Sequence, residues 1–128
     1  MDIIQVLKQD YQRFPANPTY EIYAENVFFQ DPLNRFQGLD RYKKMIGFIE
    51  TWFINPNLEL HQIEQSGNQI ETHWTLRWTT PLPWKPQMVI KGWTEMMLNS
   101  EGLINSHIDY WECSRFDVLK QLIFPPKD

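Results

Sequence analysis

Ile70-Glu71-Thr72-His73-Trp74-Thr75-Leu76-Arg77-Trp78-Thr79 changes character at every residue. Ile70, Thr72, Trp74, Leu76 and Trp78 share one face; Glu71, His73, Thr75, Arg77 and Thr79 share the other. Successive side chains of a strand point to opposite sides, so this period of two predicts a half-buried strand. Two indoles on its apolar side predict either a bulky core or the wall of a hollow.

The same period extends on both sides. Leu58 to Gln65 reads as a strand, joined to the first through the turn Ser66-Gly67-Asn68. Pro81, Pro83 and Pro86 bound a stiff loop that cannot be central strand. Residues 87–98 then form a long strand, with Met88, Ile90, Gly92, Thr94, Met96 and Leu98 on one side and Val89, Lys91, Trp93, Glu95 and Met97 on the other. Gly92 in mid-strand predicts a bend or bulge. Asn99-Ser100-Glu101-Gly102 is a hairpin connection. A last strand over 103–113 puts Leu103, Asn105, His107, Asp109, Trp111 and Cys113 on one face.

Upstream the period is helical. Residues 2–13 carry Ile3, Ile4, Leu7 and Tyr11 as an apolar stripe, with Asp2 as cap and Gln5 at capping-box spacing. Phe14-Pro15 and Asn17-Pro18 end it. Thr19 to Ala24 reads as one or two helical turns, and Val27-Phe28-Phe29 as a short buried strand closed by Asp31-Pro32. Residues 39–54 form the second helix, with Tyr42, Met45, Ile46, Ile49, Trp52 and Phe53 at helical spacing and Asn55-Pro56-Asn57 as its stop. Ser114 and Asp117 predict a capped helix to about Phe124, and Pro125-Pro126 ends the order. Helices followed by a meander predict an α+β fold in which a curved antiparallel sheet wraps around helices.

The chain has 128 residues, enough for one domain with a core of its own. Twelve basic against 16 acidic residues give a net charge of −4, which argues against nucleic acid or an anionic membrane as partner. A single cysteine, Cys113, excludes a disulfide framework and a cysteine-rich metal site and reads as a small buried hydrophobe. His61, His73 and His107 lack ligand spacing, so no metal and no cofactor is expected. No leader and no membrane span is read, and a cytoplasmic location is expected. Aromatic residues reach 15%.

Three motifs in register carry a resemblance. Tyr23-Ala24-Glu25-Asn26-Val27-Phe28-Phe29-Gln30-Asp31-Pro32 resembles the early strand of the nuclear transport factor 2-like superfamily. Gly38-Leu39-Asp40-Arg41-Tyr42 resembles the start of its long helix, and His107-Ile108-Asp109-Tyr110-Trp111 the last strand of its SnoaL-like cyclase branch. The chain is most similar to an uncharacterised cyanobacterial and plant-plastid family with the same marks. The resemblance implies a cone-like roll: helices packed in the concavity of a strongly curved antiparallel sheet, with a pocket inside. It also implies that the face bearing His107, Asp109 and Trp111 looks into that pocket. Against the ketosteroid-isomerase branch, Asp31 falls at the general-base position, Trp111 at an aromatic wall position, Thr94 where that branch has an acid, and Tyr11 near its tyrosine.

Asp31, His107 and Asp109 are therefore the candidate catalytic residues. A carboxylate in an apolar cavity is shifted toward neutrality, where acid and base work is efficient. Tyr11, Trp74, Trp78, Thr94 and Trp111 are the candidate ligand contacts. Plainer roles stand beside these. Asp31 can serve its own turn, His107 and Asp109 can satisfy each other, and the tryptophans can be core. Three readings stay open: a holder of a small apolar ligand, a cofactor-free isomerase, cyclase or dehydratase using Asp31 or Asp109 as base, and a dimeric interaction module. The last rests on Trp93, Met97, Ile108 and Tyr110, an apolar outer face that a second copy, as relatives pair, or the segment Phe116–Phe124 would cover.

Overall fold

The structure is a computed structural model that describes residues 2–124. Its elements in chain order are α1 (Ile3–Arg13), a 3-10 turn (Tyr20–Ile22), β1 (Tyr23–Gln30), β2 (Arg35–Gln37), α2 (Leu39–Trp52), β3 (Ile54–Ser66), β4 (Gln69–Thr79), β5 (Gln87–Leu98), β6 (Ile104–Trp111) and α3 (Arg115–Lys120). The six strands form one curved sheet in the order β2-β1-β6-β5-β4-β3. The α+β expectation holds. One pairing departs from a purely antiparallel sheet: β1 runs parallel to β6, which makes the sheet mixed. A period of two fixes which face of a strand is buried and says nothing about its neighbour's direction.

Local chemistry accounts for most boundaries. Asp2 Oδ1 accepts the Gln5 amide at 2.9 Å and opens α1. Ser114 and Asp117 form a reciprocal capping box at the start of α3. That helix stops at Lys120 and continues as turns toward Phe124, while Pro125-Pro126 lies outside the described residues. α1 packs on β3, α2 on β1 and β2, and α3 on β5. Leu7 of α1, Tyr42 and Ile46 of α2, and Phe29, Ile70, Met96 and Ile104 of the sheet make one buried cluster. Trp74, Met88, Ile90 and Val118 make a second.

Four readings need correction. β3 begins at Ile54, before the expected stop, and the register slips between Ile54 and Asn57. Asn55 takes the left-handed conformation at φ 50°, and an edge strand tolerates a proline at such a bulge. Secondly, Thr19–Ala24 contains a single 3-10 turn, and strand geometry starts at Tyr23.

The third concerns β6. The register slips between the Met97–Ser106 and Leu98–Ile104 pairs. Ile104, with no exposed surface, therefore occupies the inner face in place of Leu103 and Asn105, while His107 stays inward. Lastly, Gly92 is not a bulge, because its pairings with Trp74 and Trp111 are in register. A Cβ there would collide with the Tyr110 carbonyl oxygen and stand 3.0 Å from the Trp74 ring. The glycine lets an indole and a neighbouring strand close over bare backbone.

Candidate functional site

The concave side of the sheet and the helices enclose a cavity of about 370 Å³, within the range of small-molecule sites. Its wall includes Asp31, His107, Asp109, Tyr11, Trp74, Trp78, Thr94 and Trp111. Every residue singled out from the sequence as catalytic or ligand-contacting thus lies on one hollow. Alternation on β4 puts Trp74 and Trp78 there, while His73 stands on the opposite face beside Glu71 at 3.0 Å.

A chain of hydrogen bonds crosses the inner face of three strands. Trp74 Nε1 donates to Thr94 Oγ1 at 2.8 Å, and Thr94 donates to Asp109 Oδ1 at 2.6 Å. The register that pairs Thr94 with Asp109 across β5 and β6 brings these groups together. His107 Nε2 lies 2.9 Å from the same carboxylate oxygen. A carboxylate accepts, so Nε2 is the donor. The imidazole packs against Phe29 and Tyr42, with centroids 5.0 and 5.8 Å away. Its Nδ1 is buried and has no partner among the described residues.

Asp31 closes the turn after β1. Its Oδ1 accepts the amides of Leu33 at 2.8 Å and Asn34 at 2.6 Å, so its plain turn role is real. The same side chain lines the cavity. Burial pushes its carboxyl above the usual carboxylate range; the turn hydrogen bonds pull it down and the negative charge of Asp109 pushes it up.

Two further phenols line the cavity, and reading from the sequence missed them. Tyr23 and Tyr42 place their hydroxyls 3.4 Å apart. Tyr42 fits the helical stripe and Tyr23 falls in the stretch expected to be helical turns, so neither carries a sequence signal for a wall position. Tyr11 bonds Thr72 at 2.8 Å. Burial raises the pKa of all three phenols, and the charge of Asp109 adds to each. Phe53, just past α2, stacks on Trp78 at 4.3 Å and extends the aromatic wall. Val118 of α3 also lines the cavity, while Phe116, Leu119, Ile123 and Phe124 of the same segment are exposed.

Burial pushes the half-buried Cys113 thiol up, as for a packing residue. No group of His, Cys, Asp or Glu among the described residues could hold a metal ion. No helix among them is long and apolar enough to cross a membrane. A second hollow of about 480 Å³ lies between the Trp84–Val89 stretch and residues 121–123, and shares Trp78 with the first.

Residues 1–107 match a family described as uncharacterized conserved protein, DUF2358. No curated protein matches. Several solved structures share the fold. A nuclear transport factor 2-like protein of unknown function from Burkholderia pseudomallei is 16% identical, with 94% of this chain and 96% of that one covered and a TM-score of 0.74. A candidate SnoaL-like polyketide cyclase from Jannaschia sp. CCS1 is 10% identical over 96% and 92% of the two chains, with a TM-score of 0.78. A hypothetical protein with a ketosteroid isomerase-like fold from Catenulispora acidiphila, solved with trimethylamine, is 15% identical over 94% and 91%, with a TM-score of 0.74. These likenesses establish a nuclear transport factor 2-like fold.

Proposed function

The chain belongs to the DUF2358 family of uncharacterized conserved proteins, and from its cavity we propose that it binds a small, mainly apolar molecule carrying a polar group. One observation carries this reading. An aromatic wall (Phe29, Phe53, Trp74, Trp78, Trp111) and a hydrogen-bonded polar cluster (Trp74, Thr94, His107, Asp109) share a single hollow. Apolar walls supply affinity, and a few fixed polar groups supply orientation. Trp74 also belongs to the second core cluster, so its ring serves packing and wall at once.

The test uses N-phenyl-1-naphthylamine, an uncharged dye that brightens in apolar surroundings. The expected result is saturable binding at one site per chain, weakened at least about fivefold by Trp78→Ala or Trp111→Ala, as loss of a stacked ring implies. Dye emission that rises without saturation, or is untouched by both variants, would refute the reading.

A second reading, cofactor-free turnover as an isomerase, cyclase or dehydratase, is favoured by Asp31 and Asp109 lining the same cavity. A carboxyl lifted by burial on the wall of such a cavity suits proton abstraction next to a carbonyl and return elsewhere. Under that reading Asp31→Asn and Asp109→Asn each abolish turnover while dye binding persists.

A third proposal concerns the outer face. Trp93 and Tyr110 stack there at 5.2 Å, and Met97 and Tyr110 are 43% and 36% exposed. With Ile108 they form an apolar patch of the kind a two-fold partner covers. Equilibrium sedimentation at micromolar concentration should give a dimer, dissociated by Trp93→Glu; a wild-type chain that stays monomeric disposes of it.

A further inference from the structure

The charge of the cavity wall narrows the class of molecule it would take. Asp31 and Asp109 line it, and no lysine or arginine does among the described residues. Asp10 lies on the wall too, but Arg13 holds it at 2.6 Å and the Thr19 amide and hydroxyl donate to it. Its charge is already answered.

The unspent hydrogen-bonding capacity of the polar cluster is on acceptors. Thr94 and His107 both reach Oδ1 of Asp109, and no described group bonds Oδ2. His107 is 7% exposed and lines the cavity, and its Nδ1 is the unpartnered buried nitrogen. Nε2 is spent on Asp109, which leaves Nδ1 as the ring nitrogen without a partner.

Three ligand types can be weighed against that wall. An anion would bring a further negative charge to a wall that already carries two carboxylates, with no lysine or arginine to receive it. A neutral apolar molecule would strip water from both carboxylates and return nothing. A cation offsets their charge, and an N–H donor suits the unbonded Oδ2 of Asp109. The aromatic faces of the wall attract it as well.

Resting on the small-molecule reading above, we propose that the occupant is an organic cation: a primary ammonium on an apolar body, its N–H groups at the Asp31–Asp109 end and its body against Trp74, Trp78 and Trp111. Octylammonium, 1-octanol and octanoate share one apolar chain and differ at the head, so calorimetric titration of the three at neutral pH separates the terms. The expected order is octylammonium tightest, 1-octanol at least about tenfold weaker and octanoate weakest. The gap between the first two should narrow as salt is raised. Asp109→Asn and Asp31→Asn should each weaken octylammonium and narrow or reverse its lead over 1-octanol, which no longer has to desolvate that carboxylate; if one variant fails to fold, the wild-type series and its salt dependence still decide.

If 1-octanol matches octylammonium, or octanoate binds best, the cation class is wrong while the cavity reading survives. If none of the three binds while the dye still does, the cation class is wrong and the cavity reading survives; if the dye fails as well, both fall.

Discussion

Gly92 lies beneath the Trp74 indole, with the Tyr110 carbonyl oxygen against the position a Cβ would take. Neither neighbour can retreat, since one is backbone of a paired strand and the other a buried ring. Gly92→Ala should therefore destabilise the fold by about 1–3 kcal/mol, the range of overpacked cores, read as a lower midpoint in urea unfolding. Thr94 is the hinge of the polar chain, taking the indole proton of Trp74 and giving its own to Asp109. Thr94→Val keeps the shape and orphans a buried N–H, at about 1–3 kcal/mol, with the same urea midpoint as the measure. Asp31 differs in sign. Burial holds its carboxyl above the usual carboxylate range, so the folded state binds its proton more tightly than the unfolded chain. Its ionised form then subtracts stability above the folded pKa, and the penalty vanishes below the unfolded one. Asn keeps the oxygen that accepts Leu33 and Asn34. Asp31→Asn should thus be as stable as the parent or more so at pH 7, with the difference gone near pH 3, by thermal unfolding at both.

At the scale of elements, Gln121 behaves like a short piece of strand. Its side-chain oxygen accepts the Val89 amide at 2.7 Å and its nitrogen donates to the Val89 carbonyl at 2.9 Å. This happens where β5 runs beyond the end of β6, which pairs it only from Gly92 onward. The two bonds, with Trp84 Nε1 donating to the Leu122 carbonyl at 2.6 Å, tie the end of α3 to the sheet. Gln121→Leu should speed hydrogen exchange at Val89 and along α3 by about tenfold or more while the centre of β4 is unchanged, since local opening needs far less than global unfolding. None of this was legible beforehand, because a glutamine near a helix end has no period and no motif. The faces of β4 and β5 were legible, since a run such as Ile70 to Trp78 repeats its rule at every step. β2 was missed: three residues cannot display a period. β6 was legible from His107 onward and wrong before it, because one slipped residue reverses parity and leaves no mark in composition.

Across the whole molecule, the convergence on one hollow was partly visible. Parity put Trp74, Trp78 and Thr94 on one side of the sheet; that the strand bearing His107 and Asp109 curls to face them came from the resemblance, not from any count of residues. The nearness of Asp31 depends on β1 lying parallel to β6, a long-range pairing that no local pattern encodes. A ligand that fills the cavity should also stabilise the fold by mass action, about 2.7 kcal/mol at a hundred times its Kd. A thermal midpoint that climbs with octylammonium and not with octanoate would be the global counterpart of the titration series.

The sheet does not close, so it has two free flanks, and both are poor templates. β2 is only three residues long, and β3 is broken near its start by Pro56 and the left-handed Asn55. Neither offers an incoming chain a straight, uninterrupted row of amides, which is what runaway strand addition needs. Replacing Asn55-Pro56 by Thr-Val would straighten that margin, and thioflavin T emission on prolonged incubation should then rise well before that of the parent chain.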